Sequence, residues 1–184
     1  MVLKEGISDL SVRKIGEAAG FSYATIYNYF KDLNHLLWHV TMSFINDITG
    51  FLGVLLGKKP FFLADAQTLY RAYSDYFLER PNVFQLLFFG QIGEAPPEFA
   101  GMDDKPELAE SVLINLEASG ECCPLNDSDK RTAAALLTSS VHGMLLLRIT
   151  GKSTGSKELF LTGMDAMLEF LIRKLNGCSD GGVL

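Results

Sequence analysis

Residues 10–31 read LSVRKIGEAAGFSYATIYNYFK, and this stretch predicts two short helices joined by a tight turn. Ser11 and Ser22 each precede a helix and can cap it, because a serine hydroxyl accepts a hydrogen bond from a free amide of the first turn. Gly20 is the expected turn residue, since glycine enters the left-handed region without a steric penalty. Gly16 is small where the two helices must cross. The stretch therefore predicts a helix-turn-helix.

The second helix of this motif has a polar and aromatic outer side. Ile26 and Phe30, spaced i, i+4, are predicted to turn inward. In the first helix, Val12, Ile15 and Ala19 form the expected inward stripe. Tyrosine, threonine and asparagine side chains can contact base edges, thymine methyl groups and phosphate oxygens, so the outer side is typical of a recognition helix in a DNA major groove. A plain αα-hairpin has the same spacing and remains open on periodicity alone. The outward residues are Tyr23, Ala24, Thr25, Tyr27, Asn28 and Tyr29.

The charge of the chain is unevenly distributed. The formal net charge is −6, which by itself argues against nucleic acid as a partner. Residues 1–40 carry as many basic as acidic side chains, so the whole negative excess lies in residues 41–184. A neutral head on an acidic body can still orient on DNA, because only the contacting face has to be basic. We expect the attraction to phosphate to be local to the motif.

Helical spacing of apolar residues continues after the motif, and neither a sustained apolar/polar alternation nor an internal repeat is present in the sequence. Glycine, proline and capping residues set the expected boundaries. The fold class is therefore all-α, with a helix-turn-helix head over residues 1–40 and a helical-bundle body over 41–184. Helices after the motif are predicted over residues 32–57, 63–79, 83–90, 107–119, 127–150 and 156–175.

The composition predicts a cytoplasmic protein that does not contact membranes. The uncharged run from Ile48 to Gly57 is about half of the ~20 apolar residues that cross a bilayer, and we expect no cationic leader before the body. The cysteines lack the spacing of a zinc site, so we expect free thiols at Cys122, Cys123 and Cys178.

Residues 6–37 resemble the signature of the TetR family of transcriptional regulators. The family pattern runs Ser/Thr-Val-x-x-Ile-Ala, then Ala-Gly-Val-Ser and Thr-Leu-Tyr-x-Tyr-Phe, and ends in a leucine-rich helix start; this chain matches it in a single register. Weaker similarity to ligand-domain segments of the family follows at residues 76–88 and 141–145. The resemblance implies a homodimeric, ligand-responsive regulator, acting as a repressor. It would bind a palindromic operator in double-stranded DNA and be released by a small effector, which the aromatic residues described below predict to be largely apolar or aromatic.

The resemblance also implies roles for residues of the motif. Arg13 is the candidate for a bidentate contact with guanine, while Thr25 and Asn28 would approach bases. Tyr23 and Ala24 would lie at the end of the helix that enters the groove. Tyr27, Tyr29 and Lys31 would bind phosphates. The free amides at the start of the first motif helix, which Ser11 caps, would bind a phosphate as well. The full set of expected DNA-binding residues is Ser11, Arg13, Ser22, Tyr23, Ala24, Thr25, Tyr27, Asn28, Tyr29 and Lys31.

Three departures from the family pattern are visible. The family's first helix should precede Gly6, and residues 1–5 would be only its last turn, so we expect a truncated head. Gly16 replaces the usual alanine and is expected to loosen the first motif helix by about 1 kcal/mol. Leu33 stands where many members carry a phosphate-binding lysine, which puts one backbone contact in doubt.

Aromatic residues are concentrated between residues 61 and 89. Tyrosine hydroxyls among phenylalanine rings suit an apolar cavity with a few polar anchors, as small-molecule sites have. For each ring, packing in an ordinary core is the alternative interpretation, and the same holds for His142. The predicted ligand-lining residues are Tyr70, Tyr73, Phe77, Phe84, Phe88, Met102, His142 and Met144.

The last two long helices have apolar residues on more than one side, so each needs two neighbours. Small residues along them would let helices approach closely, and we expect a four-helix interface across a two-fold axis, as the resemblance also implies. The predicted interface residues are Leu136, Ser140, Gly143, Phe160, Met164, Met167 and Leu171.

Catalytic motifs are missing from the sequence. It contains no phosphate loop, nucleophile elbow or paired ligand set, so neither enzyme activity nor a cofactor is predicted. His35 and His39 have the i, i+4 spacing of helical metal ligands, but no glutamate follows His35 and no third ligand is apparent, so no metal site is predicted. The alternative function is a helical ligand-binding dimer whose shortened head does not bind DNA.

Overall fold

The computed structural model describes residues 10–99 and 107–177, and within them it contains helices and no strands. The all-α prediction is confirmed. A single 3-10 turn, Pro97–Phe99, lies between the fifth and sixth helices of the described residues. The expected remnant of a first helix at residues 1–5, Met102 and Cys178 lie outside the described residues. The helices are α1 (Val12–Ala19), α2 (Tyr23–Tyr27), α3 (Leu33–Leu56), α4 (Leu63–Glu79), α5 (Pro81–Phe89), α6 (Leu108–Ala118), α7 (Asp127–Ile149) and α8 (Lys157–Gly177).

The helix boundaries follow from local capping chemistry. The Asp129 amide donates to the Asn126 side chain at 2.9 Å and thereby caps the start of α7. Pro81 begins α5, a position where the missing amide of proline has no helical partner to lose. The predicted end of the last helix at residue 175 was two residues early, because α8 runs to Gly177.

The described residues pack into two compact units. The first comprises residues 10–50 and 76–99, and the second comprises residues 51–75 and 107–177. Helices α3 and α4 each contribute residues to both units. Packing therefore does not divide the chain at residue 40, since α3 up to Gly50 and the α5 region belong to the same unit as the motif. The division into head and body remains a functional prediction.

The core of the first unit is built on the motif. Val12, Ile26 and Leu36 are buried together, and Ile15, Phe30, Leu33 and Val40 pack against them. Leu33, which replaces a lysine in the family pattern, therefore contributes to this core. Ala19 is exposed, which corrects the predicted inward stripe of α1, because the helix ends there and Gly20 turns the chain away.

The core of the second unit is formed by α4, α6, α7 and α8. Leu69, Leu113, Leu145 and Met164 are all fully buried in it. Arg71 reaches from α4 to Asp165 of α8 with an Nη2 to Oδ2 distance of 2.6 Å. Cys122 and Cys123 are free, as predicted, and burial raises the pKa of the Cys122 thiol to about 11. That thiol is therefore protonated at neutral pH.

Two helices, Leu33–Leu56 and Asp127–Ile149, are long and apolar enough to cross a membrane by length and composition alone. Only 22% and 28% of their most apolar windows are buried within the chain. Core helices of soluble proteins pass the same test, and so do helices that pack against a second copy of the chain. For α7, the low burial leaves apolar surface that calls for a partner.

Candidate nucleic-acid interface and effector site

The two motif helices begin at the predicted serine caps. Ser11 accepts a hydrogen bond from the Lys14 amide at 3.3 Å, and Ser22 accepts one from the Thr25 amide at 3.1 Å. The Ser22 and Thr25 hydroxyls are also 2.7 Å apart. Gly20 has φ 74°, the left-handed turn expected of it. These caps fix where α2 begins and which of its side chains point outward.

Gly16 allows the two motif helices to approach closely. A β-carbon built on Gly16 would lie 2.9 Å from the carbonyl oxygen of Phe21 and 3.3 Å from Ile26 Cδ1. The first distance is shorter than real β-carbon contacts, and the atom it meets belongs to the backbone. The glycine is therefore required by packing, in addition to any loosening of α1 by its low helix propensity.

Exposed aromatic rings lie on α2 and just after it, since α2 ends at Tyr27, earlier than the predicted helix that was to include Phe30. Tyr29 is 75% exposed, and Tyr23 and Tyr27 are also exposed, with their ring centroids 4.7 Å apart. Ala24 and Asn28 are exposed beside them, whereas Thr25 is half-buried. The side-chain hydrogen bond with Tyr23, followed by desolvation, raises the pKa of Tyr27. Tyr27 therefore keeps its phenolic proton and can donate it to a phosphate oxygen.

Arg13 and Lys31 are the basic groups among the predicted DNA-binding residues. The Arg13 side chain is 81% exposed and pairs with Glu17 one turn later, with Nε 3.0 Å from Oε1. Exposed pairs of this kind contribute only about 0.3–0.5 kcal/mol, so a guanine can replace the glutamate at little cost. Lys31 is exposed, and its backbone amide donates to His35 Nδ1 at 3.1 Å.

In the second unit, Tyr73 and His142 form a polar pair among apolar residues. The Tyr73 hydroxyl lies 2.7 Å from His142 Nε2, and the two rings are stacked with centroids 6.0 Å apart. Desolvation by burial lowers the pKa of His142, so the imidazole is neutral at pH 7 and forms a hydrogen bond with the tyrosine hydroxyl. Burial also raises the pKa of Tyr73 well above its usual range.

Tyr70 lies one helical turn before Tyr73 and has no comparable partner. Its side chain is buried, and within the described residues its hydroxyl makes no hydrogen bond. Burial, and after it the charge of a neighbouring Tyr73, raises the pKa of Tyr70 far above the usual range. An unsatisfied buried hydroxyl costs about 1–3 kcal/mol, so the Tyr70 hydroxyl is a destabilising group in this structure.

The predicted ligand-lining residues are divided between the two units. Tyr70, Tyr73, His142 and Met144 belong to the second unit. In the first unit, the ring centroid of Phe77 lies 5.3 Å from that of Phe84 and 5.6 Å from that of Phe88. Phe77 and Phe84 are buried while Phe88 is partly exposed. The rings of Tyr70, Tyr73 and His142 thus lie together in the second unit, and those of Phe77, Phe84 and Phe88 lie together in the first.

The predicted interface residues divide by exposure. Leu136 and Ser140 are exposed, and Gly143, Met167 and Leu171 are half-buried. Phe160 and Met164 are 8% and 0% exposed. The prediction that these two contact a partner is corrected, because both are buried in their own chain; Met164 Sδ, for example, lies 3.1 Å from the Ser74 hydroxyl.

Sequence reasoning missed two exposed apolar residues on the same two helices, Leu147 and Phe170, and it left Leu159 out of the predicted interface set although it noted this residue as apolar. Their spacing could have identified them. On α7, Leu136, Ser140, Gly143 and Leu147 follow the i, i+4, i+7, i+11 pattern of a single helix face. On α8 the same pattern joins Leu159, Gly163, Ala166 and Phe170. We call these faces the α7 stripe and the α8 stripe; each has large residues at its ends and small ones in the middle.

Comparison with known proteins gives two family matches along the chain. Residues 2–38 match the bacterial regulatory proteins of the tetR family, and residues 66–175 match the tetracyclin repressor-like C-terminal domain. The crystal structure of a TetR transcriptional regulator from Rhodococcus sp. RHA1 matches with a TM-score of 0.58 at 19% identity, covering 95% of this chain and 90% of that one. At this identity the likeness concerns the fold alone. No curated protein matches the chain.

Proposed function

Since this chain belongs to the TetR family of bacterial regulatory proteins, we propose that it is a homodimeric repressor that reads a palindromic operator and is released by a small effector. The observation that carries the proposal is the capped α2 with the turn that follows it, where Tyr23, Tyr27 and Tyr29 are exposed and Ile26 is buried. The outer side of this helix carries aromatic and polar side chains, and it faces solvent. We therefore expect this surface to bind another molecule.

Binding to DNA would place α2 in the major groove. Asn28 offers a bidentate amide for adenine, and Ala24 offers a methyl group for thymine. Tyrosine hydroxyls at both ends of the helix would hold phosphates, as would the free amides at the capped start of α1. The proposal thus assigns recognition of the DNA bases and contacts with the DNA phosphates to different residues of the motif.

Dimerisation would use the α7 stripe and the α8 stripe. Leu136 and Leu147 are more than half exposed, as are Leu159 and Phe170. A β-carbon on Gly143 would meet no atom of its own chain within 4 Å, so the middle of the α7 stripe has room for a neighbouring helix. Four helices, two from each copy, would then bury both stripes across a two-fold axis.

The effector would bind at Tyr70 and the Tyr73–His142 pair. Rings provide an apolar lining, and the unsatisfied Tyr70 hydroxyl provides one polar anchor. The ligand class is therefore a largely apolar or aromatic molecule with at least one hydrogen-bonding group. A bacterial regulator of this kind must bind DNA in the cytoplasm, so we assign the protein to that compartment.

The proposal is tested by selecting binding sites from a pool of random double-stranded DNA with the full chain. We expect enrichment of a palindrome whose half-sites are one helical turn apart, or a multiple of it. The control is Asn28→Ala, which removes an exposed side chain and should make one position in each half-site degenerate. Enrichment of sequences without two-fold symmetry would contradict recognition of the operator by a symmetric dimer. Failure to enrich any sequence favours the ligand-binding dimer that does not bind DNA.

A further inference from the structure

Three metal-ligating side chains meet in the first unit, close to the linker between α2 and α3. His35 Nε2 lies 2.6 Å from Glu98 Oε1 and 3.2 Å from His39 Nε2. Candidate ligand atoms of all three residues lie within 4.8 Å of one another. We propose that His35, His39 and Glu98 form a binding site for a divalent first-row metal ion of the zinc type, and that its occupancy is linked to the backbone at Lys31.

The segment that carries Glu98 is anchored to α3 by contacts that do not involve the three ligands. Trp38 Nε1 donates to the Gly93 carbonyl at 2.9 Å, and Asn34 Nδ2 donates to the Glu94 carbonyl at 3.1 Å. The Trp38 ring also stacks on Phe99 with centroids 6.2 Å apart. Glu98 is thus held beside α3 by its neighbours, and the three ligand residues are close together before an ion arrives.

The donor set and its spacing suit a borderline metal ion. Two imidazole nitrogens and one carboxylate are donors of the kind that zinc, cobalt, nickel and iron accept, and three protein ligands leave a position open for water. With metal–ligand bonds of about 2.0–2.2 Å, neighbouring ligand atoms lie about 3.0–3.5 Å apart. The distance between the two imidazole nitrogens already falls in this range. The distance from His35 Nε2 to Glu98 Oε1 must increase by about 0.5 Å, because the hydrogen bond between these atoms is replaced by one metal bond to each of them.

The cluster is accessible from one side. The His35 side chain is 13% exposed and the Glu98 side chain is 44% exposed. Phe30 packs edge-on against both imidazoles, with centroids 5.8 Å from His35 and 5.3 Å from His39. An ion would therefore enter past the carboxylate and meet rings already held in place.

Proton positions link the site to the recognition helix. Because the Lys31 amide donates to His35 Nδ1, that nitrogen carries no proton, and the ring's proton is on Nε2 facing Glu98. A neutral histidine that binds a metal through Nε2 carries its proton on Nδ1. Ion binding therefore removes the proton from Nε2 to solvent, and Nδ1 takes one from solvent, so the ring remains neutral. The Lys31 amide then loses its acceptor.

Lys31 belongs to the short connection between α2 and α3, and Phe30 beside it packs on the core of the head. Loss of the Lys31 hydrogen bond therefore acts on the residues that position α2. The inference does not depend on operator binding, since both the ion and the proton can be observed on the protein without DNA.

The first experiment measures metal binding to the full, untagged chain after treatment with a chelator. Titration with Co²⁺ followed by absorption, and with Zn²⁺ followed by calorimetry, should give one ion per chain. Glu98→Gln and His39→Ala should each weaken binding by at least about tenfold. Glu94→Gln, on the same segment with an exposed carboxylate, is the matched control and should leave binding unchanged. Equal binding by Glu98→Gln and the wild type overturns the site.

The second experiment tests the linkage on the wild type and so does not depend on whether a variant folds. In ¹⁵N NMR of the metal-free chain, His35 should be the tautomer with its proton on Nε2, and saturating Zn²⁺ should move that proton to Nδ1. Hydrogen exchange of the Lys31 amide should then accelerate at least about tenfold, because its acceptor is gone. Bound Zn²⁺ with an unchanged tautomer and unchanged Lys31 exchange overturns the linkage.

Discussion

Gly16 illustrates how a single β-carbon can decide the packing of the head. Alanine at this position would gain up to about 1 kcal/mol of helix propensity but would overpack against the Phe21 carbonyl, at about 1–3 kcal/mol. We expect Gly16→Ala to lower the free energy of unfolding. Gly50→Ala in α3 is the matched control: its β-carbon would meet no atom within 4 Å, so it should stabilise by about 0.5–1 kcal/mol. Denaturant unfolding measures both. If Gly16→Ala also stabilises, the two helices cross less closely than described.

Tyr70 and Tyr73 differ by one hydrogen bond and should respond oppositely to loss of the hydroxyl. Tyr70→Phe removes a buried group that makes no hydrogen bond within the described residues, so we expect the ligand-free protein to gain about 1 kcal/mol or more. Tyr73→Phe breaks the bond to His142 and should cost about 1 kcal/mol. Thermal unfolding compares the two variants with the wild type. A loss of stability in Tyr70→Phe would mean that its hydroxyl has a partner, and the argument for a polar anchor would fail.

Arg13 and Lys31 should affect DNA binding in different ways. Arg13→Ala should cost about 1–3 kcal/mol at one base position of each half-site and relax specificity there. Lys31→Ala should weaken binding to all sequences and reduce the slope of log affinity against log salt by about 1. Binding of specific and random DNA is measured over a range of salt concentrations. Equal losses on specific and random DNA for Arg13→Ala would contradict a base contact.

At the scale of elements, the α7 stripe predicts which face of a helix meets a second copy. Ser140→Arg puts a charge in the middle of the stripe, where burial without a partner is costly, so we expect a shift from dimer to monomer. Ala135→Arg lies on the same helix, is also exposed and faces about 140° away from Ser140, so it should remain dimeric. Sedimentation velocity at micromolar concentration distinguishes the two. Dimers of unchanged affinity in Ser140→Arg would place the interface elsewhere.

Capping residues account for much of what the sequence predicts correctly about the elements. Ser11, Ser22, Gly20 and Asn126 act over one helical turn, so their effect is readable locally. Met164 is the counterexample. Its helix is apolar on two sides, and periodicity does not say which side faces α4 of the same chain and which faces a partner; the contact with Ser74 decides it. The interface residues were therefore only partly predictable.

The third residue of the proposed metal site shows a similar limit. His35 and His39 are visible in the sequence as an i, i+4 pair, but Glu98 follows His35 by 63 positions. Its place depends on the Trp38 and Asn34 hydrogen bonds to the backbone of residues 93 and 94. Contacts of this range come from the tertiary fold, and no local pattern predicts them.

At the scale of the whole molecule, a repressor requires that effector and operator oppose each other. Coupling between two sites is reciprocal, so an effector that weakens operator binding by a given factor must itself bind more weakly by that factor when operator is present. Typical coupling is about 1–3 kcal/mol. Small aromatic compounds that raise the thermal stability of the chain serve as probes, and operator affinity is then titrated with and without each. A compound that binds near Tyr70 without changing operator affinity would contradict the switch.

The central claim is that two copies of this chain read the two halves of a palindrome with α2. Its most direct measurement is the stoichiometry of the complex, by sedimentation equilibrium, on a selected palindrome and on the same duplex with one half-site scrambled. The account predicts two chains on the intact palindrome and a large loss of affinity when one half-site is scrambled, because each head contributes its own base contacts. A single chain bound to each duplex, with equal affinity for both, would contradict it.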